Sequence, residues 1–493
     1  MLQAANQPGQ LLWTFMSQDE VSYFHVKILT LFIVFAFTGN AFGQSISNPP
    51  SEQGGAYPVK ANDAANPCIS PEEYAMIDKR IAENIKTLGV SKNERKTTVT
   101  TTLGWPLKMA NGLNDCGYYF ITNYVDQDPT TGLKDYNCGM VTYDGHRGND
   151  ICTGPYGFFK MDNDQVDVIA AAPGIILDKS VDTNFDRHCA MSSATANYVI
   201  IKHADGSCAL YWHMKKKSVT TKVIGDAIAA GEYLGVVGSS GSSTAPHLHL
   251  ELWSGTTSAT LNDAYAGTCN TLNSTSWWVT QKPYTEPALL KVQVNPSAKP
   301  VILPGCDTTE TPNDDTCYAP GAAAKLYMFI RNETVGMTAN LSIINPDGTT
   351  FSSWIHNSTS NYVSSYWYWN KTLPTATGRY TFQSIYNGTT CNSYFRINCP
   401  ALTASSVADI SAIEVFPNPT NDQLNISGAG IDNGNYQLKL KNIIGQTMLM
   451  ENVAVANSTL QRSLSLSTIP NGVYFLEIES DKSRTVRKVV KQD

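Results

Sequence analysis

"HLHLELW", residues 247–253, sets two imidazoles two positions apart inside an apolar run. Successive side chains of a β-strand point to opposite faces, so residues two apart share one. Read as a strand, the stretch sends His247 and His249 one way and Leu248 and Leu250 the other. The leucines then pack into a core while the imidazoles line a cleft. Neutral imidazole binds zinc and titrates near neutrality, so such a pair suits a metal site or acid–base chemistry. The runs upstream have the same character: "DVIAAAPGIILDK" (167–179), "NYVIIKH" (197–203), "CALYWHM" (208–214) and "YLGVVGSSG" (233–241) are short, β-rich and punctuated by glycine. Residues 97–290 therefore predict a mostly antiparallel β domain with little helix.

A catalytic zinc takes three protein ligands and keeps one position open. "YDGHRGNDIC" (143–152) offers His146 and Asp150 as HxxxD, with Gly148 between them to allow a tight local path. "LYWHMK" (210–215) adds His213, which simple alternation places on one strand face with Tyr211. Each motif is weak alone. Together they take four of the eight histidines into three motifs of one β-rich segment. His25, His188 and His356 do not cluster with them, and His203 in "IIKHADGS" reads as structural. No HExxH and no CxxC occurs, which removes the glutamate-base zinc mechanism and a thiolate zinc cluster.

The order HxGxD, then YxHM, then GxxGSSGxSxxPHLHLE resembles the lysostaphin-type zinc endopeptidases, which include the β-lytic enzymes, over residues 116–290. The resemblance implies a small antiparallel β core with a narrow groove. It implies one Zn2+ per chain held by His146, Asp150 and His249. It also implies that His213 and His247 flank the open position, with His247 taking a proton from water and His213 stabilising the oxyanion. The implied substrates are peptide bonds of peptidoglycan cross-links or of glycine-rich peptides. The competing reading is a non-catalytic cell-wall-binding or adhesion protein built on the same β core.

The rest of the chain supports an exported, multidomain protein. Its 493 residues allow about three or four domains. Hydrophobic residues make up 42% and charged residues 16%, which fits packed domains; a net charge of -7 gives no support for a nucleic-acid partner. "KILTLFIVFAFTGNAFG" (27–43) reads as a signal peptide, with Met16 an alternative start, so 1–43 is assigned to it. The 11 cysteines then sit in an oxidising compartment and read mostly as disulfide staples. Cys306/Cys317 and Cys391/Cys399 are close enough in sequence to bridge locally.

Residues 44–115 form a linker and a helical segment. Ser70 and Glu73 make a capping box and Gly89 marks a stop. This segment serves either as a propeptide that blocks the zinc or as plain N-terminal support. The endopeptidase domain covers 116–290 and a β-sandwich accessory domain 291–400. In the sandwich, "SSYWYWN" (364–370) sends half its aromatics to the core and leaves the rest for a spacer or a sugar-binding role. A linker, 401–410, leads to residues 411–493. There "PNP" (417–419), "NIIGQ" (442–446), "PNGVYFLEI" (470–478) and a basic final strand resemble the C-terminal sorting domain of type IX secretion. The expected protein is thus mostly β: an antiparallel catalytic core followed by two β-sandwiches. It is secreted or surface-attached, monomeric, and engages the type IX machinery.

Overall fold

The computed structural model describes residues 52–57, 67–90, 100–110, 112–180, 195–296, 300, 302, 309–399, 413–443, 445–480 and 484–492. The signal-peptide assignment and the 401–410 linker lie outside these residues, as do Cys189 and Cys306. The architecture is mostly β, as the sequence predicts.

The central sheet runs Tyr119–Asn123, Asn149–Thr153, His247–Trp253, Cys208–Met214, Asn197–Lys202, Gly174–Ser180 and Ala227–Ile228, with Leu261–Asn262 paired to the His247–Trp253 strand. All these pairings are antiparallel. The "HLHLELW" strand lies inside the sheet, bonded on one side to Asn149–Thr153 and on the other to Cys208–Met214. Both faces are covered, which explains why all seven of its residues are buried. Leu248, Leu250 and Leu252 pack with Ile151, Val199, Ile201 and Tyr211. On the opposite face Trp253 joins Tyr198, Leu210 and Trp212.

That opposite face is covered by the helix Pro71–Leu88. It starts as the sequence predicts: the Ser70 side chain accepts from Glu73 N–H, Glu73 returns the bond to Ser70 N–H, and Gly89 closes the helix at φ 63°. Ile77, Ile81 and Ile85, spaced one turn apart, bury one stripe against Tyr198, Leu210 and Trp212. Tyr198 and Trp212 stack with ring centroids 4.2 Å apart beneath it. Polar ties fix the helix lengthwise. Arg80 donates to Asp178 at 2.8 Å, Asn84 to the Leu177 carbonyl at 3.0 Å, and Ser258 donates to Asp78.

The accessory domain is a sandwich. One sheet holds Ala288–Asn295, Ala323–Glu333 and Tyr362–Thr372, the other Thr338–Ile344, Thr350–Asn357, Gly378–Tyr386, Thr389–Ile397 and Cys317–Tyr318. Strand Gln53–Ala56 adds itself to the open edge of Tyr362–Thr372, so a piece of the N-terminal segment completes this sheet. Of the aromatics in 364–370, Tyr368 and Trp369 are buried. Trp367 Nε1 donates to Glu333, and Tyr366 packs on a cluster that joins Phe329 to Phe120 and Tyr156 of the catalytic core. The C-terminal domain forms a three-stranded and a four-stranded sheet around Leu424, Ile426, Leu438, Leu440, Leu476 and Ile478.

The cysteine pairing differs from the local bridges expected from spacing. Cys391 bonds Cys116, 275 residues away, and ties the catalytic core to the sandwich; Cys317 bonds Cys399, and Cys138 bonds Cys269. Chain separation does not choose partners here, because a disulfide needs its two Cα atoms within about 7 Å, and the fold sets Cys116 and Cys391 5.8 Å apart.

His356 stands between Glu333, 2.7 Å from its Nε2, and Glu52 on its Nδ1. Burial opposes its charge, but the two carboxylates outweigh that and raise its pKa to about 9. A pKa raised on folding stabilises the protein fully below the unfolded value of about 6.5, and the gain fades as pH rises through 9. We expect the difference in melting temperature between the wild type and His356→Gln to shrink from pH 6 to pH 9.5, corresponding to about 2 kcal/mol. A difference flat across that range would refute the assignment.

Candidate metal and catalytic site

The central sheet brings together all five residues singled out by the histidine motifs, and each is buried. His249 pairs with Asp150 across the adjacent strand, which sets their side chains next to each other on one face. His249 Nδ1 lies 2.9 Å from Asp150 Oδ1 and 3.2 Å from His146 Nε2; His146 Nε2 lies 3.2 Å from Asp150 Oδ1. A tetrahedral ion with bonds of about 2.0–2.1 Å puts its ligand atoms roughly 3.3 Å apart. The three atoms therefore stand close to the edges of one face of such a tetrahedron.

Surrounding groups orient each donor atom. His146 Nδ1 is 2.7 Å from the Tyr124 carbonyl oxygen, so it carries the proton and Nε2 keeps its lone pair. His249 Nε2 is 3.5 Å from Glu251 Oε2, which likewise leaves Nδ1 facing Asp150. Asn123 Nδ2 donates to Asp150 Oδ2 at 2.9 Å and holds the carboxylate so that Oδ1 faces the histidines. Two imidazole nitrogens and a carboxylate oxygen then converge within 3.2 Å, which needs positive charge among them: either a proton, since Asp150 outweighs burial and raises the pKa of His146 to about 9, or a metal ion in its place. The donor set thus fits a borderline divalent ion such as zinc.

Glu251 also adjoins the site, and the sequence carried its signal. It falls two residues beyond His249 in "HLHLELW", on the same strand face. It is fully buried, accepts from Trp253 Nε1 at 2.7 Å, from Arg147 Nε at 3.2 Å and from the Tyr74 hydroxyl at 2.7 Å. Although burial opposes its charge, His249 and Arg147 keep its pKa below the usual carboxylate value. Gly148 has a different role from the one expected. A Cβ there would lie 2.6 Å from His249 Cε1 and 2.7 Å from Nε2, so the glycine makes room for the His249 ring.

His213 reaches the site by a route that alternation does not predict. The register opposes Trp212 to His249 and Tyr211 to Leu250, so regular alternation would turn His213 to the leucine face. Tyr211 does stay there, in the core, with its hydroxyl donated to by Ala171 N–H at 2.8 Å. His213 instead adopts φ 67°, in the left-handed region, and its ring swings to 4.5 Å from the His247 ring. The expectation that Tyr211 and His213 share a face is therefore wrong, and the reason is this one backbone dihedral.

His213 Nδ1 is 2.6 Å from the Ser240 carbonyl oxygen and His247 Nδ1 2.7 Å from the Ala245 carbonyl oxygen. Both rings therefore donate from Nδ1 and present Nε2 to the site, where His247 Nε2 is 3.5 Å from Asp150 Oδ1. Burial, then the neighbouring His247, lowers the pKa of His213. Burial lowers that of His247 as well, but the Asp150 charge outweighs it and the pKa is raised. Asp150 itself is held well below the usual carboxylate range despite burial, by His146 and His247. His203 stays outside the site, with Nδ1 2.8 Å from the Pro173 carbonyl oxygen. One residue absent from the expected set does lie in it: Cys68, assigned from sequence to the disulfide staples, has its sulfur 3.9 Å from Asp150 Oδ1 and 3.9 Å from His247 Nε2.

Comparison with known proteins agrees with the motifs. Residues 156–261 match peptidase family M23, the lysostaphin-type family, and residues 414–492 match the secretion system C-terminal sorting domain. The first match includes His213, His247 and His249 but begins after His146 and Asp150. The chain is 39% identical over 62 residues to an uncharacterized metalloprotease of Buchnera aphidicola, a match covering 13% of this chain and 16% of the relative. The chain thus spans a small part of that relative's length. A solved structure from Pseudomonas aeruginosa assigned provisionally to peptidase M23 is 17% identical, with a TM-score of 0.19, covering 37% of this chain and 57% of that one. A biofilm-associated BSP domain is 16% identical at a TM-score of 0.13, covering 36% of this chain and 28% of that one. The sorting domain marks the chain for export, to the cell surface or the medium.

Proposed function

We propose, for a chain that carries a peptidase family M23 domain and a secretion sorting domain, that it is a secreted zinc metalloendopeptidase. It hydrolyses peptide bonds in peptidoglycan cross-links or glycine-rich peptides. The observation that carries this reading is the convergence of His146 Nε2, Asp150 Oδ1 and His249 Nδ1 within 3.2 Å, beside two further imidazoles that present Nε2.

His146, Asp150 and His249 are the residues that would hold zinc. Bound there, zinc supplies a Lewis acid for the scissile carbonyl and makes water acidic enough to ionise near neutral pH. His247 is the better placed of the remaining imidazoles to take the proton from water, because its Nε2 is 3.5 Å from the ligand oxygen of Asp150. That role needs a neutral ring. Asp150 favours a proton on His247, but it loses that hold once its charge is shared with a dication. His213 donates to the oxyanion from Nε2 only as an imidazolium, because its Nδ1 already donates to the Ser240 carbonyl; burial and His247 disfavour that charge, and the negative charge developing on the oxyanion offsets them. Its left-handed backbone is the strain expected where a side chain is held against its preferred direction for function. Glu251 keeps the His249 ring in the tautomer that exposes Nδ1.

The test combines metal analysis of the purified chain with cleavage of pentaglycine peptide and of isolated sacculi, before and after chelation. About one zinc per chain and cleavage lost on chelation and restored by zinc are expected. A metal-free chain, or cleavage indifferent to chelator, would leave the wall-binding reading in its place.

A further inference from the structure

We propose that Cys68 closes the site: its thiolate takes the fourth metal position, and the segment 67–89 holds the enzyme latent until it is displaced. This rests on the zinc reading above and names how that site is regulated. The sulfur lies within 4.8 Å of the ligand atoms of His146, Asp150 and His249, and it also groups within 4.8 Å of His213 and His247. It therefore occupies the gap between the metal-binding atoms and the two imidazoles, where water and the scissile carbonyl would have to lie. His213 Nε2, fully buried, faces this gap with no conventional hydrogen bond among the described residues.

The donor chemistry agrees. A tetrahedral ion with a sulfur bond of about 2.3 Å and an oxygen bond of about 2.0 Å puts the two ligand atoms roughly 3.5 Å apart. Cys68 Sγ is 3.9 Å from Asp150 Oδ1. Thiolate is a strong ligand for zinc, and the S–H proton is released to solvent as the metal–sulfur bond forms, with no change of oxidation state. A thiol buried only for packing has no need of five histidine and aspartate side chains around it.

The segment is built to keep the sulfur there. The Tyr143 hydroxyl donates to Cys68 Sγ at 3.3 Å and accepts from Cys68 N–H at 3.3 Å. Two residues on, the capping box of Ser70 and Glu73 starts the helix. The helix lies on the same face of the sheet as His247, His249 and Glu251, clamped by Ile77, Ile81 and Ile85. It also reaches the ligands' support directly, since the Tyr74 hydroxyl donates to Glu251 at 2.7 Å and the Arg147 guanidinium sits 4.7 Å over the Tyr74 ring. Displacing the helix would thus open the site and loosen the group that orients His249.

The test is cobalt substitution of the full chain, beside Cys68→Ala and Cys68→Ser. We expect the cobalt-loaded wild type to show a sulfur-to-cobalt charge-transfer band in the near ultraviolet, absent from both variants at equal cobalt content. The zinc-loaded variants should cleave pentaglycine peptide at least about tenfold faster than the zinc-loaded wild type, the gain expected if nine in ten wild-type sites are closed. Cobalt bound without the band would overturn ligation by Cys68 and leave the metal site standing. A band lost in the variants without a gain in activity would overturn latency. Failure of the wild type to bind metal at all would overturn both this proposal and the function it rests on.

Discussion

His249→Ala is expected to lose zinc and to lower kcat/KM by at least about 10^3-fold, because a metal's stabilisation of developing charge is worth several kcal/mol. In the proposed site His249 supplies one of three ligand atoms, and its removal leaves Asp150 and His146 facing each other at 3.2 Å with no third donor. The fold should survive. The strand keeps Leu248, Leu250 and Leu252 in the core, and these, not the imidazole, hold it in the sheet. The check is zinc content by elemental analysis together with peptide cleavage, with circular dichroism to confirm the fold. Retention of one zinc and of activity would end the case for this site.

His247→Gln separates the two imidazoles of "HLHLELW". It should keep its zinc, since the ligand triad does not include it, and lose about 10^2- to 10^4-fold in kcat, the range typical of a general acid–base group. Glutamine can still meet the Ala245 carbonyl, so the local strand is preserved. The basic imidazole is what disappears. The expected signature is a fall in kcat with KM little changed, and a weakened acid limb of the pH–rate profile. Full activity would exclude His247 from proton transfer, and loss of zinc would move it into the ligand set. Together the two substitutions distinguish a ligand from a base although the residues lie two apart on one strand.

Much of the site was legible because it is built from local, period-two information. The face shared by His247, His249 and Glu251 follows from strand alternation alone, and burial of Leu248 and Leu250 follows with it. His146 and Asp150 were legible as a spaced pair, and the capping box at Ser70 and Glu73 fixed the start of the one long described helix. The remainder depended on contacts between residues far apart in the chain. Gly148 is explained by the ring of His249, 101 residues later, and not by its own turn. The disulfide of Cys116 with Cys391 depends on the sandwich docking against the core through Phe120, Tyr156 and Phe329.

By itself the sequence determined that the protein is mostly β, that its C-terminal domain is a sorting signal, and that three histidine motifs fall in one β-rich segment in the order of the lysostaphin-type family. Alternation, capping and glycine-marked turns act over a few residues and can be read one stretch at a time. Only the tertiary structure decided that His213 turns across its strand to meet His247, and that Cys68 arrives from 78 residues upstream of His146 to sit between them. The first depends on a single dihedral that no periodicity encodes. The second depends on a helix finding the one sheet face whose aromatic surface its isoleucine stripe can cover.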